Sequence, residues 1–458
     1  MKSYYITVPE TLTTEKIQKS LNHLNLNIDY LYWLVSQILV KNNYNLEGIP
    51  ENEWKSLCSK ILEKHPYNYK IHLKFLCSDH LGLNKVLWRN NYAVGKCYSY
   101  KLSNSFFMDK GRIHKITDKK LLKYLGKLYP ENITYNYKFK RRYKFLAKFF
   151  KNDNLQIDVQ EAIEKNNELY KIGYFDPTKK VFKQRNNLFQ ICAILNQKFN
   201  INYNPKTDGR IHSVVTSLSK PLRRFVTFKG DQLAEVDLSS SVPLFCYFIL
   251  KSITDTGTNK HLDKIIRQSK IDYPFKMFNS EANKLDKDEI KLFGSEILDG
   301  TFYSSFVDEL NLLDKNDDEF DKEKYLISIT GSNSHDAKQL QKIMKKPILS
   351  MMNAKKSKFK IEQKLFKNKF PTILNWINAF KKDNHKLFSY LTLQTESYFM
   401  LDIVARTINN DANYKMPLIT LHDCLITTKS NVDILYSQMQ DILFKELGLS
   451  PKLTKEEW

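Results

Sequence analysis

Glycine and proline are scarce, thirteen of each in 458 residues, which excludes collagen-like and low-complexity chains. Six cysteines (Cys58, Cys77, Cys97, Cys192, Cys246 and Cys424) stand apart with no CxxC pair, so neither a disulfide framework nor a standard zinc module is written into the chain. That usage suits a reducing compartment, and a cytoplasmic location is expected. No apolar run approaches the roughly 18 residues of a membrane span; Val242 to Leu250 is among the longest, and the start MKSYYITVPE lacks an apolar signal core. No membrane partner is expected.

What the chain has in excess is positive charge. Lys and Arg number 72 against 50 Asp and Glu, a formal +22, beside 42% apolar and 13% aromatic residues. Length and apolar share suffice for several packed units around large cores. A cationic surplus of this size steers polyanions and releases their counterions. Nucleic acid is therefore the first partner to expect.

Residues 1–109 read as mostly helical, with Leu31, Leu34, Val35, Ile38 and Leu39 at helical spacing. His65, His72, Cys77 and His80 match no standard zinc spacing, and ordinary core or surface roles are expected of them. Between Lys110 and Lys151 fourteen Lys or Arg face only Asp118 and Glu131, a net +12 in 42 residues. Inside this stretch, KFKRRYKFLAKFFK interleaves cations with Phe139, Tyr143, Phe145, Phe149 and Phe150. Lys138, Lys140, Arg141 and Arg142 suit a phosphate backbone, and the aromatics are expected to pack inward rather than stack on bases. Asp153 to Phe199 is again helical and amphipathic, Asn200 to Gly209 reads as a loop, and the acidic Asp308 to Glu323 as a solvated insertion or linker.

Chemistry concentrates after Gly209. Gln232 to Asp237 (QLAEVD) reads as a strand that leaves the Lys229-Gly230-Asp231 turn and ends in a carboxylate. Held by a sheet yet reaching solvent, such a group suits a metal. Pro417 to Thr428 (PLITLHDCLITT) reads as a tight hairpin with His422-Asp423 at its tip. Two aspartates on adjacent strands can hold two Mg²⁺ ions about 4 Å apart, which activates a hydroxyl and stabilises the leaving oxygen of phosphoryl transfer. Either one alone would more often cap its turn. His422 is open to a part as base or ligand, or to a structural one beside the turn.

Between these strands, Ala337 to Ala354 (AKQLQKIMKKPILSMMNA) sets Lys338, Lys342, Lys345 and Lys346 on a helical apolar pattern. Lysines facing a metal-bound triphosphate would neutralise it, and one could protonate the departing pyrophosphate; a solvated face is the alternative. Pro347 predicts a helix start or a kink. Leu387 to Asn410 reads as one long helix on which Gln394 shares a stripe with Leu387, Leu391, Tyr398 and Leu401. A polar residue there satisfies a buried partner or reads a base edge.

Taken in order, these motifs resemble family A DNA polymerases. DGRIHSVVTSLSKPLRRFVTFKGDQLAEVDLSSSVPLF (Asp208 to Phe245) is similar to that family's Gly-Arg turn, arginine-bearing strand and motif A. KKPILSMMNA resembles motif B, LQTESYFMLDIVAR the Gln-bearing palm helix, and ITLHDCLITT the His-Asp hairpin of motif C. Single-subunit phage-type RNA polymerases share the plan. The resemblance spans roughly Ile201 to Lys452 and implies a helix-rich α+β fold with right-hand architecture: an antiparallel palm sheet with helical fingers and thumb. The implied division is a helical N-terminal domain (1–109), a basic thumb-like region (110–199), palm with motif A (200–250), fingers with motif B (251–384) and palm with motif C (385–458).

Carried over residue by residue, the resemblance implies Asp237 and Asp423 as ligands of two Mg²⁺ ions, with Mn²⁺ as a substitute and the Leu238 carbonyl as a further ligand. Lys345, or Lys346 one register away, would hold the triphosphate, and Arg224 the nucleotide or the nucleic acid backbone. Arg210, Gln394 and His422 would contact nucleic acid. Three positions depart from the family. Val242, followed by Pro243, stands where the DNA polymerases carry a ribose-excluding Glu; Asn353-Ala354 replaces the Tyr-Gly of motif B; Cys424 replaces a second acid in motif C. Sugar choice is therefore not inherited, and no acidic constellation in the first 200 residues resembles a proofreading exonuclease.

The expectation is a DNA polymerase without proofreading, acting on a primed DNA or RNA template with nucleoside triphosphates. The alternatives are an RNA polymerase or primase-like polymerase, a catalytically idle nucleic-acid-binding module on a polymerase palm, and a metal-dependent nuclease. The Lys/Asn/Tyr-rich composition suits a phage, plasmid or mobile element of an AT-rich genome.

Overall fold

The computed structural model describes the chain except residues 1–2, 22–23, 40–51, 81, 91–96, 130–132, 136, 152, 256–258, 270, 272, 274–280, 317–319, 332–336 and 412–415. It is a mixed, helix-rich fold with mostly antiparallel sheets. No helix among the described residues is long and apolar enough to cross a membrane.

The central sheet carries the candidate site. Its order is Ile419–Leu421, Cys424–Thr428, Asp231–Leu238, Val226–Phe228, Leu155–Ile157, and Leu453–Glu457 also pairs with Asp231–Leu238. Phe228 and Asp231 close a two-residue hairpin in which Lys229 (φ 53°) and Gly230 (φ 89°) are both left-handed. That pair of conformations matches the twist of the flanking strands, and glycine takes the second at no steric cost. From this turn Leu233, Ala234, Val236 and Leu238 are buried, so the strand lies inside the fold and Asp237 arrives at its far end in a fixed register.

Two cores sit under the surface. The larger one spans the central sheet and the helices after residue 139. A second one joins Ile6, Val8, Leu31, Leu34, Tyr100, Ile116 and Leu125, among others. Residues 1–109 are less helical than expected, because Tyr4–Pro9 pairs antiparallel with Gly111–Ile116 and a three-stranded sheet forms from Lys55–Ser56, Ser99–Leu102 and Leu87–Arg89. The first of these ladders carries the N-terminal packing across residue 109. The helix Lys180–Leu195 ties the two cores together, with Val181 and Phe182 in the smaller and Ile194 in the larger.

Several other expectations need correction. Phe199–Tyr203 is a strand that buries Phe199, Ile201 and Tyr203 in alternation, so the loop is confined to the residues between Tyr203 and Ile211. The acidic segment is largely helical rather than a linker: Phe302–Asn316 covers its first half and buries Leu310 and Leu313 beside Phe302 and Phe306. The helix Ala337–Asn353 runs through Pro347. An internal proline costs about 3 kcal/mol, and burial of Met344, Ile348, Met351 and Met352 on the same helix offsets it. Lys338 belongs to this helix, but its side chain lies outside the described residues. The predicted long helix is continuous as Lys386–Ser397, a π-helical stretch Tyr398–Ala405, and Arg406–Asn410.

Candidate active site

The site forms where two strands meet. Asp231–Leu238 runs antiparallel to Cys424–Thr428 with Asp237 opposite Cys424, and the Leu238 amide donates to the Asp423 carbonyl at 3.2 Å. Two residues join Leu421 to Cys424, and His422 takes the left-handed backbone (φ 58°) of this tight turn. Candidate ligand atoms of Asp237, Asp423 and Cys424 all lie within 4.8 Å of one another. Residues 186 positions apart in sequence are thus held together by ladder hydrogen bonds.

The electrostatics of this trio follow from burial and from the two carboxylates lying side by side. Burial, then the charge of Asp423, pushes Asp237 up to about 6, against the hydrogen bond from Cys424 and the charge of Lys345. Burial also raises Asp423, opposed by Arg210 and Lys345. The Cys424 thiol donates to Asp237 Oδ1 at 2.7 Å, and burial between carboxylates pushes the thiol far above its ordinary range. It is therefore a hydrogen-bond donor that orients Asp237, not a thiolate ligand. What remains for a cation are hard carboxylate oxygens, the donor class that Mg²⁺ and Mn²⁺ take. Two desolvated carboxylates whose repulsion a divalent cation would relieve fit such an ion.

Glu235, two residues before Asp237 on the same strand, adds its charge to Asp237. It is buried, and accepts from the Trp458 indole at 3.0 Å. The i, i+2 spacing in QLAEVD is the signal that could have found it, since alternate strand residues share a face.

Across from the carboxylates stands the lysine helix. Lys345 is exposed, and its charge lowers both Asp237 and Asp423. Lys342, Lys345 and Lys346 together line a surface depression with Leu349, Ser350 and Asn353. The Lys345 ammonium lies 6.0 Å from the ring centre of Tyr303. Tyr303 was not anticipated. Its hydroxyl is buried without a protein hydrogen-bond partner among the described residues, and its pKa is raised by burial and by Asp423.

The Gly-Arg turn is held by the protein itself. Arg210 Nε and Nη2 donate to Glu396 at 2.7 and 2.8 Å, and Ser241 also donates to Glu396. Gln394 donates to the carbonyls of Pro205 (3.0 Å) and Thr207 (2.7 Å) and accepts from Tyr273 at 2.8 Å. Ser397 donates to the Gly209 carbonyl. A side chain at Gly209, where φ is 68°, would bring a Cβ within 3.3 Å of that Ser397 hydroxyl. Three polar residues of one helix therefore grip the turn. Gln394 thus has buried protein partners and Arg210 clamps Glu396; buried polar groups must be satisfied, and these are satisfied by protein.

Glu396 is the residue that sequence reading missed. It is 1% exposed, and burial with the nearby Asp423 pushes it up to about 7 despite Arg210 and Ser241. His422 lies between: burial lowers it to about 4, its ring packs 5.9 Å from that of His212, and its Nδ1 has no hydrogen-bond partner among the described residues. Arg224, expected at the nucleotide or the nucleic acid backbone, is exposed over the Phe225 ring in a depression that Tyr174 and Trp458 also line. Its neighbour Arg223 is the one in electrostatic reach of Cys424, Glu235 and His422.

The basic helix Tyr137–Ala147 divides its residues as expected with one exception. Phe139, Tyr143, Phe149 and Phe150 in and after it are core, and Lys138, Lys140 and Arg141 are exposed. Arg142 is not free for phosphate, because it pairs with Asp402 at 2.5 Å and donates to Gln268. Of the imagined zinc set, His72 has both ring nitrogens on the backbone of Asn68 and Asn27, and His80 bonds the Phe75 carbonyl.

No protein-family model matches the chain, and no curated protein does. Among solved structures, the chain is similar to the POL domain of Pol1 from M. smegmatis in complex with DNA primer-template and dNTP, at 10% identity and a TM-score of 0.30, over 64% of this chain. The chain spans about half of that structure (54%).

Two outcomes are expected. In urea unfolding at pH 8, Arg210→Met should cost about 3–5 kcal/mol by stranding the buried Glu396 charge, and the double variant Arg210→Met/Glu396→Met should cost clearly less than the two single variants together; full additivity would show that the pair is not coupled. Neutralising Lys138, Lys140 and Arg141 to Gln should flatten the slope of log affinity for nucleic acid against log salt by about 2–3, whereas Arg142→Gln should lower stability and leave that slope unchanged.

Proposed function

We propose that the chain is a template-directed nucleotidyltransferase of right-hand architecture, a DNA polymerase that extends a primer 3′-hydroxyl without proofreading. The observation that carries this reading is the pair Asp237 and Asp423, set on adjacent strands with their ligand atoms within 4.8 Å and with Lys345 in electrostatic reach of both. The same carboxylates and the Leu238 carbonyl would hold two divalent ions, Mg²⁺ or Mn²⁺. When bound, such ions make the 3′-hydroxyl more acidic and stabilise the charge that builds on the leaving pyrophosphate.

The chain's own residues supply the rest. Lys345 places a fixed positive charge on the triphosphate side of the carboxylates, where it offsets phosphate charge and is positioned to give a proton to the departing pyrophosphate. Lys346 and Lys342 extend that charge along the depression the helix lines. Cys424, by donating to Asp237, fixes the carboxylate rotamer and leaves the second oxygen for a ligand. Arg210 and Glu396 lock the Gly-Arg turn against the helix behind Asp423, and so act as positioning residues. Lys138, Lys140 and Arg141 give an exposed cationic surface for the backbone of a primed template.

Primer extension on a primed DNA template tests this. Wild-type chain with Mg²⁺ should incorporate dNTP and release pyrophosphate, and Asp237→Asn and Asp423→Asn should each lower kcat by about 10³-fold or more, several kcal/mol of transition-state stabilisation. Lys345→Ala should lower it more than Lys346→Ala. Clear preference for rNTP, or initiation without a primer, would move the chain to the RNA polymerase or primase-like class. Degradation of the primer without incorporation would make it a nuclease. No activity in wild type and unchanged nucleic acid binding in Asp237→Asn would leave a binding module.

A further inference from the structure

The smaller core carries a second cavity, of about 600 Å³, far in sequence from the carboxylates. One wall is the helix Tyr69–Leu76, and the other is the small sheet that holds Leu87–Arg89 and Ser99–Leu102. Among the described residues four cations line it: Lys70 and Lys74, one turn apart on the helix, with Lys85 and Arg89 from the opposite wall. No carboxylate among the described residues lines it. Asp79 is the counter-charge at the rim, 3.9 Å from Lys85 with its side chain 71% exposed.

Large aromatic side chains stand open in the same place. Trp88 is 47% and Tyr98 37% exposed, and each has a cation on its ring, Lys85 at 4.3 Å from the Trp88 centre and Arg89 at 4.9 Å from that of Tyr98. Exposed indole surface is costly in water, and four like charges around one hollow repel one another. A ligand that combines a flat π-face with negative charge relieves both. Single-stranded nucleic acid has that combination: its bases have free faces for stacking, and its phosphates recur at regular intervals. A duplex hides its base faces, so it matches the cations but not the aromatics.

We propose that this cavity binds single-stranded nucleic acid, with bases on Trp88 and Tyr98 and phosphates on Lys70, Lys74, Lys85 and Arg89. The site is separate from the Asp237–Asp423 pair and does not depend on what that pair does. In a chain that copies a template, it would receive unpaired strand.

The test uses the full chain and an eight-nucleotide DNA carrying 5-iodouracil, without nucleotides or metal, in the presence of excess primed duplex as competitor for other cationic surfaces. Photo-crosslinks should map to Trp88 or Tyr98. By fluorescence anisotropy, Trp88→Ala should weaken the octamer at least tenfold and Trp88→Phe should recover most of the loss, since stacking needs a ring and not an indole. Lys70→Gln/Lys74→Gln should flatten the salt dependence of octamer binding. Because Trp88 is half exposed, its loss leaves the fold intact, which an unchanged thermal midpoint verifies. Wild-type affinity in both the Trp88→Ala and the lysine variants, or crosslinks confined to other peptides, overturns the proposal. So does binding to phosphatidylserine vesicles that Trp88→Ala abolishes while octamer affinity stays the same. None of these readouts involves nucleotide incorporation, so failure here and failure of the polymerase reading are told apart.

Discussion

Everything at the candidate site depends on one stretch of antiparallel ladder. Pairing of Asp231–Leu238 with Cys424–Thr428 sets Asp237 opposite Cys424 and ties the Leu238 amide to the Asp423 carbonyl. Side chains alternate faces along a strand, so a slip of one residue would turn Asp237 away from the hairpin tip. The register is held from both sides, since Leu453–Glu457 pairs with the same strand and the apolar residues between the carboxylates are buried. The ladder thus forces two like charges together in a desolvated place. Such an arrangement stores repulsion that a divalent ion and the charge of Lys345 relieve.

The surroundings make the arrangement rigid. Gln394, Glu396 and Ser397 sit close together on one helix and hold the segment from Pro205 to Arg210, while Cys424 fixes Asp237. A carboxylate that binds metal gains from such support, because any freedom left in the ligand must be lost on binding. Glu396 also brings a third buried acid near Asp423, and Arg210 balances it. The Arg210–Glu396 pair therefore belongs to the charge balance of the site although neither residue is assigned a ligand position.

Much of this was readable from the chain. The alternating apolar residues on either side of His422-Asp423 encode the hairpin, and QLAEVD after a Lys-Gly turn encodes the strand, because both signals are local. Phe139, Tyr143, Phe149 and Phe150 were correctly assigned to the core from their spacing among cations. Partnerships over distance were not readable. Glu396 in LQTESYF looks like one more polar residue until Arg210 is brought across to it, Gln394 admitted two readings, and Arg142 looked like its free neighbours until Asp402 was in place. The choice between Lys345 and Lys346 depends on which way one helix turns. Composition misled once: the acidic character of Asp308 to Glu323 concealed Phe302, Phe306, Leu310 and Leu313 at helical spacing, which bury one face of a helix.

The most direct measurement of the central claim is metal occupancy, read independently of turnover. Electron paramagnetic resonance of the full chain titrated with Mn²⁺ and a nucleoside triphosphate should show two saturable ions per chain with magnetic coupling between them, and Asp237→Asn or Asp423→Asn should abolish the coupled signal. Absence of saturable Mn²⁺ in wild type, or an identical signal in both variants, would contradict the assignment of these two carboxylates as a shared metal site.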